Sequence, residues 1–508
     1  MGQTGSLNPL TGRADVAARR PVWIRWAVFV VVALLGLAVR LPQLGARPMH
    51  TDEAVNAYVV GQLLAGQTFS YDSRDRHGPA LAALALPLAR MQGATSFSEL
   101  TESELRLTPV VAGTITILLF GTAVDMFGFA PCVIAALLFA FAPLPVYYDR
   151  YFIHESLFAA ATFGLILAGW RACMERSVFQ AALAGACAAL MLACKETAVL
   201  HVSALAVAAL VFWLWNRRRE RLADLRLPAM LAATAAFLVL SVLFFTWFGS
   251  NWNAIAGLMR AGPSMLARAG GEGHEKPVWY FGELLIGGWS GGLIAALACI
   301  GLILTVKERD DSPFGFLGWY AVFIVSIYCL IPYKTPWLAL NFWLPVALFA
   351  GLTIKSLWSM PARYPAVRMP LRAACFVLGA IIAVLIAHDT RDRVFLHPAD
   401  EGNPYAYAHT SDDLIGLPAE IAELARQDGL ASPRIAVIAS DAWPLPWYLR
   451  NYSQVGFWQP GQKVGHADFY VTSTEAADQY RDQLKDLRPE FFGVRPGVLI
   501  LLWEPALK

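Results

Sequence analysis

Asp52 and Glu53 stand side by side just beyond the first membrane-length apolar run, in the string His50-Thr51-Asp52-Glu53-Ala54. Ionisable groups are costly beside lipid and gather where water, substrate or ions are handled, so an acidic pair on an otherwise apolar chain marks a candidate reaction centre. A second concentration is Tyr147-Tyr148-Asp149-Arg150-Tyr151-Phe152-Ile153-His154-Glu155, with tyrosines, acids, an arginine and a histidine in one short segment. Lys195-Glu196, His274-Glu275 and Lys334 add further acids and bases, and Arg74-Asp75-Arg76-His77-Gly78-Pro79 supplies cations. Such a basic loop could greet lipid headgroups or, more specifically, anchor a phosphate.

Each motif also has a purely structural explanation. Thr51 is a good N-cap, and acids in a first helical turn favour the macrodipole. Val55, Tyr58, Val59 and Leu63 then make an apolar stripe at helical spacing, so an interfacial helix starting here is expected under either explanation. Interfacial anchoring and an Asp149–Arg150 surface pair would account for the tyrosine-rich string, but not for Glu155 at the mouth of a helix. Lys195 could be a snorkelling lysine with Glu196 as its partner. Pro332-Tyr333-Lys334-Thr335-Pro336-Trp337 reads as a rigid hairpin with one cation at its tip.

The elements that must position these groups are membrane helices. The chain has 508 residues, 57% hydrophobic and 15% charged, with a mean hydropathy of +0.49, the composition of an integral membrane protein. The formal charge of +2 gives no sign of a nucleic-acid partner, and none is expected. The seven cysteines lie in or beside apolar runs without a CxxC pair and read as small buried hydrophobes. Arg13, Arg19, Arg20 and Arg25 precede an apolar stretch without a small-residue cleavage site, so the start reads as a signal anchor behind a cytoplasmic tail, residues 1–21.

With about 20 apolar residues needed per crossing, candidate spans lie at 22–40, 107–125, 130–147, 156–171, 178–194, 197–215, 228–248, 283–305, 313–331, 337–354 and 373–389. This gives about 11 transmembrane helices in residues 22–390. The short apolar piece 79–93 is read as a helix lying along or dipping into the surface. Then Arg171 and Arg176, Arg217-Arg218-Arg219 with Arg221 and Arg226, Lys307 and Arg309, and Arg363, Arg368 and Arg372 all fall on the cytoplasmic side, as the positive-inside bias requires. If 79–93 crossed, the 217–226 cluster would fall outside. In this topology the acids and bases above, from five separate loops, converge on the extracytoplasmic face, with 41–106 as the long first external loop.

After the last span the composition turns polar. Residues 391–508 are expected to form a small extracytoplasmic α/β domain, with strands at 435–440, 468–472 and 498–503 and helices at 411–427 and 475–487. There is no internal repeat or low-complexity tract. The fold class is thus an α-helical polytopic protein of the cell (inner or plasma) membrane with a C-terminal α/β domain.

In this order the motifs resemble the GT-C class of membrane glycosyltransferases, of the protein O-mannosyltransferase and aminoarabinose-transferase type, over roughly residues 22–350. The resemblance rests on Asp52 and Glu53 in the first external loop, on His77-Gly78-Pro79 where the family has a His/Lys-Pro-Pro-like element, and on the acidic motif Tyr151 to Glu155. The whole chain is also similar to a bacterial and archaeal group of "flippase activity-associated" membrane proteins, through Lys195-Glu196-Thr197, Pro332 to Trp337, Asn403-Pro404-Tyr405-Ala406-Tyr407-Ala408-His409 and Trp443-Pro444-Leu445-Pro446-Trp447-Tyr448.

The resemblance implies a sugar donor carried on polyprenyl phosphate and an extracytoplasmic protein, lipid or glycan acceptor, with membrane lipid as the surrounding partner. Asp52 would be the general base, with Glu53 and Glu155 as further catalytic acids, Glu155 orienting the acceptor, sharing the base role or holding a metal. Arg76, His77, Lys195 and Lys334 would meet the donor phosphate, while His50, Tyr151, His154 and Glu196 would support the site or acceptor. A divalent cation (Mg or Mn) on Asp52, Glu155 and His154 is an option the sequence does not require. The competing expectation is a flippase, or flippase partner, for lipid-linked saccharides. A transporter would carry mid-span charges and repeated halves, whereas here the acids cluster at one face. An outer binding module on a membrane anchor would not need so many spans.

Overall fold

A computed structural model of the chain describes residues 21–505 apart from 74–75, 216–225, 272, 308–311 and 360–367. Arg13, Arg19, Arg20, Arg74, Asp75, the cluster from Arg217 to Arg221, Arg309 and Arg363 lie outside the described residues. The chain forms two compact units. The first comprises residues 1–42, 69–83 and 106–396, and the second residues 43–68, 84–105 and 397–508.

Among the described residues nine helices are long and apolar enough to cross a membrane: Val22–Arg40, Glu102–Thr122, Glu155–Glu175, Ala198–Trp215, Leu227–Phe245, Gly288–Val306, Pro313–Leu330, Pro336–Ser359 and Met369–Leu396. The two remaining segments read as spans form shorter apolar helices, Phe129–Phe141 and Val178–Cys194. The run 130–147 is broken because Ala142 turns extended before Pro143, a residue position that proline biases away from helix. The run 283–305 is likewise split at Gly287, with Gly288 in the left-handed region at φ 79°. The apolar piece at 79–93 is a separate helix, Ala80–Met91.

In the first unit, helices Glu155–Glu175, Val178–Cys194 and Leu227–Phe245 pack in chain order. Between the last two, a Cβ on Gly185 would lie 2.0 Å from the Ala233 carbonyl oxygen, so the backbones touch, as small residues allow in membrane bundles. Leu340–Ser359 is buried along most of its length against Phe129–Phe141 and Gly288–Lys307.

The same unit holds a buried ion pair. Arg40, at the end of the first span, is bonded to Asp149 at 2.7 and 2.9 Å, and both side chains are fully buried. The remaining guanidinium hydrogens go to the carbonyls of Gly36, Phe139 and Ala140. Asp149 therefore does not pair with its neighbour Arg150 at the surface. Arg150 instead donates to the carbonyls of Arg40 and Pro42 and lies over the Phe395 ring.

The second unit contains a five-stranded sheet in the order β2-β1-β3-β5-β4, with β1 Ile435–Ile438, β2 Val455–Trp458, β3 Phe469–Ser473, β4 Leu487–Arg495 and β5 Val498–Pro505. The first three strands of that order are parallel and the last two join antiparallel. The inner strand β1 is buried at every position, as a strand covered on both faces must be. Ala436, Ile438, Val464, Tyr470, Tyr480 and Leu484 form a core on one face. Helix Asp413–Gln427 is where the sequence places it, but the helix expected at 475–487 is two short pieces, Thr474–Gln479 and Arg481–Leu484, followed by β4. Strands β2 and β4 are additions to the expected set.

Candidate functional site

In the second unit, helix Thr51–Leu64 begins with a capping box whose N-cap is His50, not Thr51. His50 Nδ1 accepts the Asp52 N–H at 3.0 Å, and Glu53 Oε2 accepts the His50 N–H at 3.2 Å. Two of the helix's orphan donors are satisfied in this way. Glu53 is fully buried, and its second oxygen faces the Arg47 guanidinium at 3.9 Å. Burial lowers the His50 pKa, although Asp52 and Glu53 pull the other way. Its Nε2–H donates to the Tyr407 carbonyl at 3.1 Å, which leaves Nδ1 as the lone-pair acceptor the cap needs. The half-buried Asp52 carboxylate makes no hydrogen bond or ion pair among the described residues. Adjacent in sequence, the two acids have different surroundings: Glu53 is bound into the cap and Asp52 is available.

The first unit brings together residues from four separate loops. Glu155, the first residue of its helix, is in an ion pair with Lys195 at 2.6 Å, both nearly buried. Burial works to lower the Lys195 pKa, but the Glu155 carboxylate outweighs it and the direction is upward; Tyr333 and Tyr328 also raise it. His77 Nδ1–H donates to Glu196 Oε2 at 2.9 Å, and the Tyr71 hydroxyl donates to Glu196 Oε1. Burial alone would raise the Glu196 pKa, yet His77 and Tyr71 hold it well below the usual carboxylate range. The His154 ring lies 5.5 Å from His77, and its Nε2–H donates to the Gly78 carbonyl at 3.2 Å. Burial, with the neighbouring His77 and Lys195, pushes the His154 pKa well down. The glycine in His77-Gly78-Pro79 is required by close approach. Its N–H reaches the Cys194 carbonyl, and a Cβ would stand 2.2 Å from the Ala193 oxygen.

Three residues sit less openly than the sequence implies. Lys334 is not at an exposed tip: its Nζ is turned inward onto the carbonyls of Lys276 (3.1 Å) and Ile331 (2.5 Å). Around it Lys276 N–H bonds the Pro332 carbonyl, Lys334 N–H bonds His274, and Glu275 bridges Tyr333. Tyr151 is buried, with its ring centroid 6.1 Å from Trp337. Arg76 is half-buried, with its N–H on the Asp72 carbonyl.

Tyr71 is a site residue that the sequence does not mark, because its partner Glu196 comes from another loop. It also lines a 450 Å³ cleft with Asp72, Asn251, Asn253 and Arg260. Asn251 also donates to the Phe69 carbonyl at 3.0 Å.

The groups named for a divalent cation do not fit one as they stand. Glu155 is committed to a cation, Lys195, and His154 to a carbonyl. Among the described residues no set of three or more His, Cys, Asp or Glu side chains could hold a metal.

Residues 89–246 match the family model described as dolichyl-phosphate-mannose-protein mannosyltransferase. No curated protein matches the chain. Among solved structures, ArnT from Cupriavidus metallidurans bound to undecaprenyl phosphate superposes with a TM-score of 0.63 at 17% identity, covering 94% of this chain and 98% of that one. The Archaeoglobus fulgidus oligosaccharyltransferase in its apo form gives a TM-score of 0.60 at 12% identity, covering 95% of this chain and 76% of that one. The same archaeal enzyme, AglB, with an inhibitory peptide and a dolichol-phosphate gives 0.57 at 12% identity, covering 94% and 74%. This polytopic membrane protein has the fold of the GT-C glycosyltransferases, as its motifs implied, and carries a segment matched by one of their families.

Proposed function

We propose that the protein transfers a sugar from a polyprenyl-phosphate-linked donor to a hydroxyl on an extracytoplasmic protein, lipid or glycan, with inversion at the anomeric carbon. The observation that carries this reading is the division of labour at residues 50–53, where the cap engages Glu53 and leaves the Asp52 carboxylate without a hydrogen bond or ion pair among the described residues. A hydroxyl is a poor nucleophile at neutral pH, so a carboxylate must take its proton as the bond forms. The acceptor oxygen attacks the anomeric carbon and the acceptor proton goes to Asp52. The bond from that carbon to the phosphate oxygen breaks, and the polyprenyl phosphate leaves with the electron pair. The sugar passes through an oxocarbenium-like state.

Negative charge building on the departing phosphate is stabilised by pre-positioned cations, here Arg76, His77, Lys195 and Lys334. Support comes from the convergence of His77, Lys195 and the Tyr333–Lys334 turn in one unit. Glu155 holds Lys195 in place, Glu196 does the same for His77, His154 and Tyr151 support the loops of that unit, and His50 caps the helix that carries Asp52. The solved relatives' undecaprenyl phosphate and dolichol-phosphate favour a lipid-phosphate donor. On this reading the acids and bases face the extracytoplasmic side, with the N-terminus cytoplasmic.

The reading is tested by incubating membranes containing the protein with radiolabelled polyprenyl-phosphate sugar. Label is expected to move from lipid to a non-lipid or lipid acceptor; label that crosses the bilayer but stays on its phosphate would identify a flippase. Lys334→Ala is expected to raise the KM for donor more than for acceptor. An equal rise in both would assign Lys334 to folding of its turn.

Glu155→Gln removes a charge but keeps an oxygen that can accept from Lys195, so a stability loss of about 1–3 kcal/mol is expected. Unfolding of the purified protein in detergent measures it. Adding Lys195→Met to that variant should recover part of the loss; a further drop of similar size would show that the two residues act separately.

A further inference from the structure

Asn403 to His409 and Trp443 to Tyr448 have no part in the reaction just described, yet both run to the start of the helix that carries Asp52. Met49 is fully buried, and its backbone groups precede the helix, so no helical ladder satisfies them. Buried backbone groups must find partners elsewhere. The Thr410 hydroxyl donates to the Met49 carbonyl at 2.7 Å, and the Tyr448 hydroxyl accepts the Met49 N–H at 2.9 Å. The Tyr407 carbonyl takes the His50 Nε2–H, and the His409 ring lies 5.5 Å from the His50 ring. Further along the same unit, Trp443 meets Tyr58 edge-on, and Trp447 meets Phe97 and donates to Glu102 at 2.8 Å.

These contacts form a relay. The hydrogen bond made by one imidazole nitrogen decides which role the other plays. The Tyr407 carbonyl therefore selects the His50 tautomer that caps the helix, and the cap fixes the Asp52 N–H. Thr410 and Tyr448 hold the residue before it by both backbone groups. We infer that Tyr407, Thr410 and Tyr448 are positioning residues for Asp52, so that the C-terminal region completes the catalytic apparatus and is not a separate acceptor-binding module. The inference rests on the reading of Asp52 as general base. A base held in the wrong pose costs turnover, because its hydrogen bond to the acceptor matters most in the transition state.

The test uses full-length protein in membranes, with Thr410→Val, Tyr448→Phe, their combination and His50→Leu compared with Thr410→Ser. The combined variant is expected to lose at least about tenfold in kcat with donor KM changed less than about twofold, as for an interaction realised in the transition state. Thr410→Ser keeps its hydrogen bond to the Met49 carbonyl and should stay near wild type, while His50→Leu, which removes both the cap and the bond to the Tyr407 carbonyl, should fall with the combined variant. Placed on Asp52→Asn, the combined change should have no further effect on residual turnover.

Wild-type kcat in the combined variant beside an inactive Asp52→Asn would overturn the inference and leave the base in place. So would an equal loss of turnover with and without Asp52, which marks a general structural role. An Asp52→Asn protein as active as wild type would remove the base assignment and the positioning role together.

Discussion

Asp52→Asn is expected to lower sugar transfer at least about 100-fold while expression, melting temperature and donor binding stay near wild type. The lower bound follows from what a positioned general base contributes, about 10²–10⁴-fold. Asparagine matches aspartate in shape but cannot take the acceptor's proton. The helix start should survive, because the cap uses the Asp52 N–H and not its carboxylate. Glu53→Gln provides the contrast. Glu53 is buried against Arg47 and accepts the His50 N–H, so its substitution should lower stability and affect turnover through the helix start. Equal turnover losses for the two variants at unchanged stability would mean that the acids share the proton.

Arg40→Met should destabilise the protein by about 3–5 kcal/mol, more than Glu155→Gln, because this is the usual cost of stripping one partner from a buried ion pair. The loss has two sources. The Asp149 carboxylate is left buried without its cation, and the carbonyls of Gly36, Phe139 and Ala140 lose a donor. Thermal unfolding of the detergent-purified protein measures this. Pairing Arg40→Met with Asp149→Leu removes the stranded charge and should recover much of the loss. A single variant that melts like wild type would show that the pair carries no weight in the fold.

The parts of this structure that were legible in the sequence have a simple physical signature. Long apolar runs became helices, and β1, β3 and β5 arise from short apolar runs, buried along β1 and most of β3 and over Ile500–Leu502 of β5. Strand β2 is only half-buried and lacks that signature. Strand β4 contains Pro489 and is exposed from Arg488 to Phe491, which is tolerable only because it lies at the sheet edge. The helix start at 51 was visible, but its cap was read one residue late because imidazole is not among the usual capping groups.

At the site, the meeting of His77, His154, Glu155, Lys195 and Glu196 accords with the expectation that these helix ends share one side of a membrane. Individual partners did not. Arg40 and Asp149 lie 109 positions apart, and His50 and Tyr407 lie 357 apart. Nothing in local composition ties one to the other. Tyr71 was hidden for the same reason, since its partner Glu196 comes from another loop.

The most direct test of the account follows label from polyprenyl-phosphate sugar in membranes carrying wild-type or Asp52→Asn protein, with the anomeric configuration of the product determined. The account predicts an inverted glycoside from the wild type and almost none from the variant, both proteins being present in equal amounts. Equal product from the two, or a glycoside of retained configuration, would contradict it.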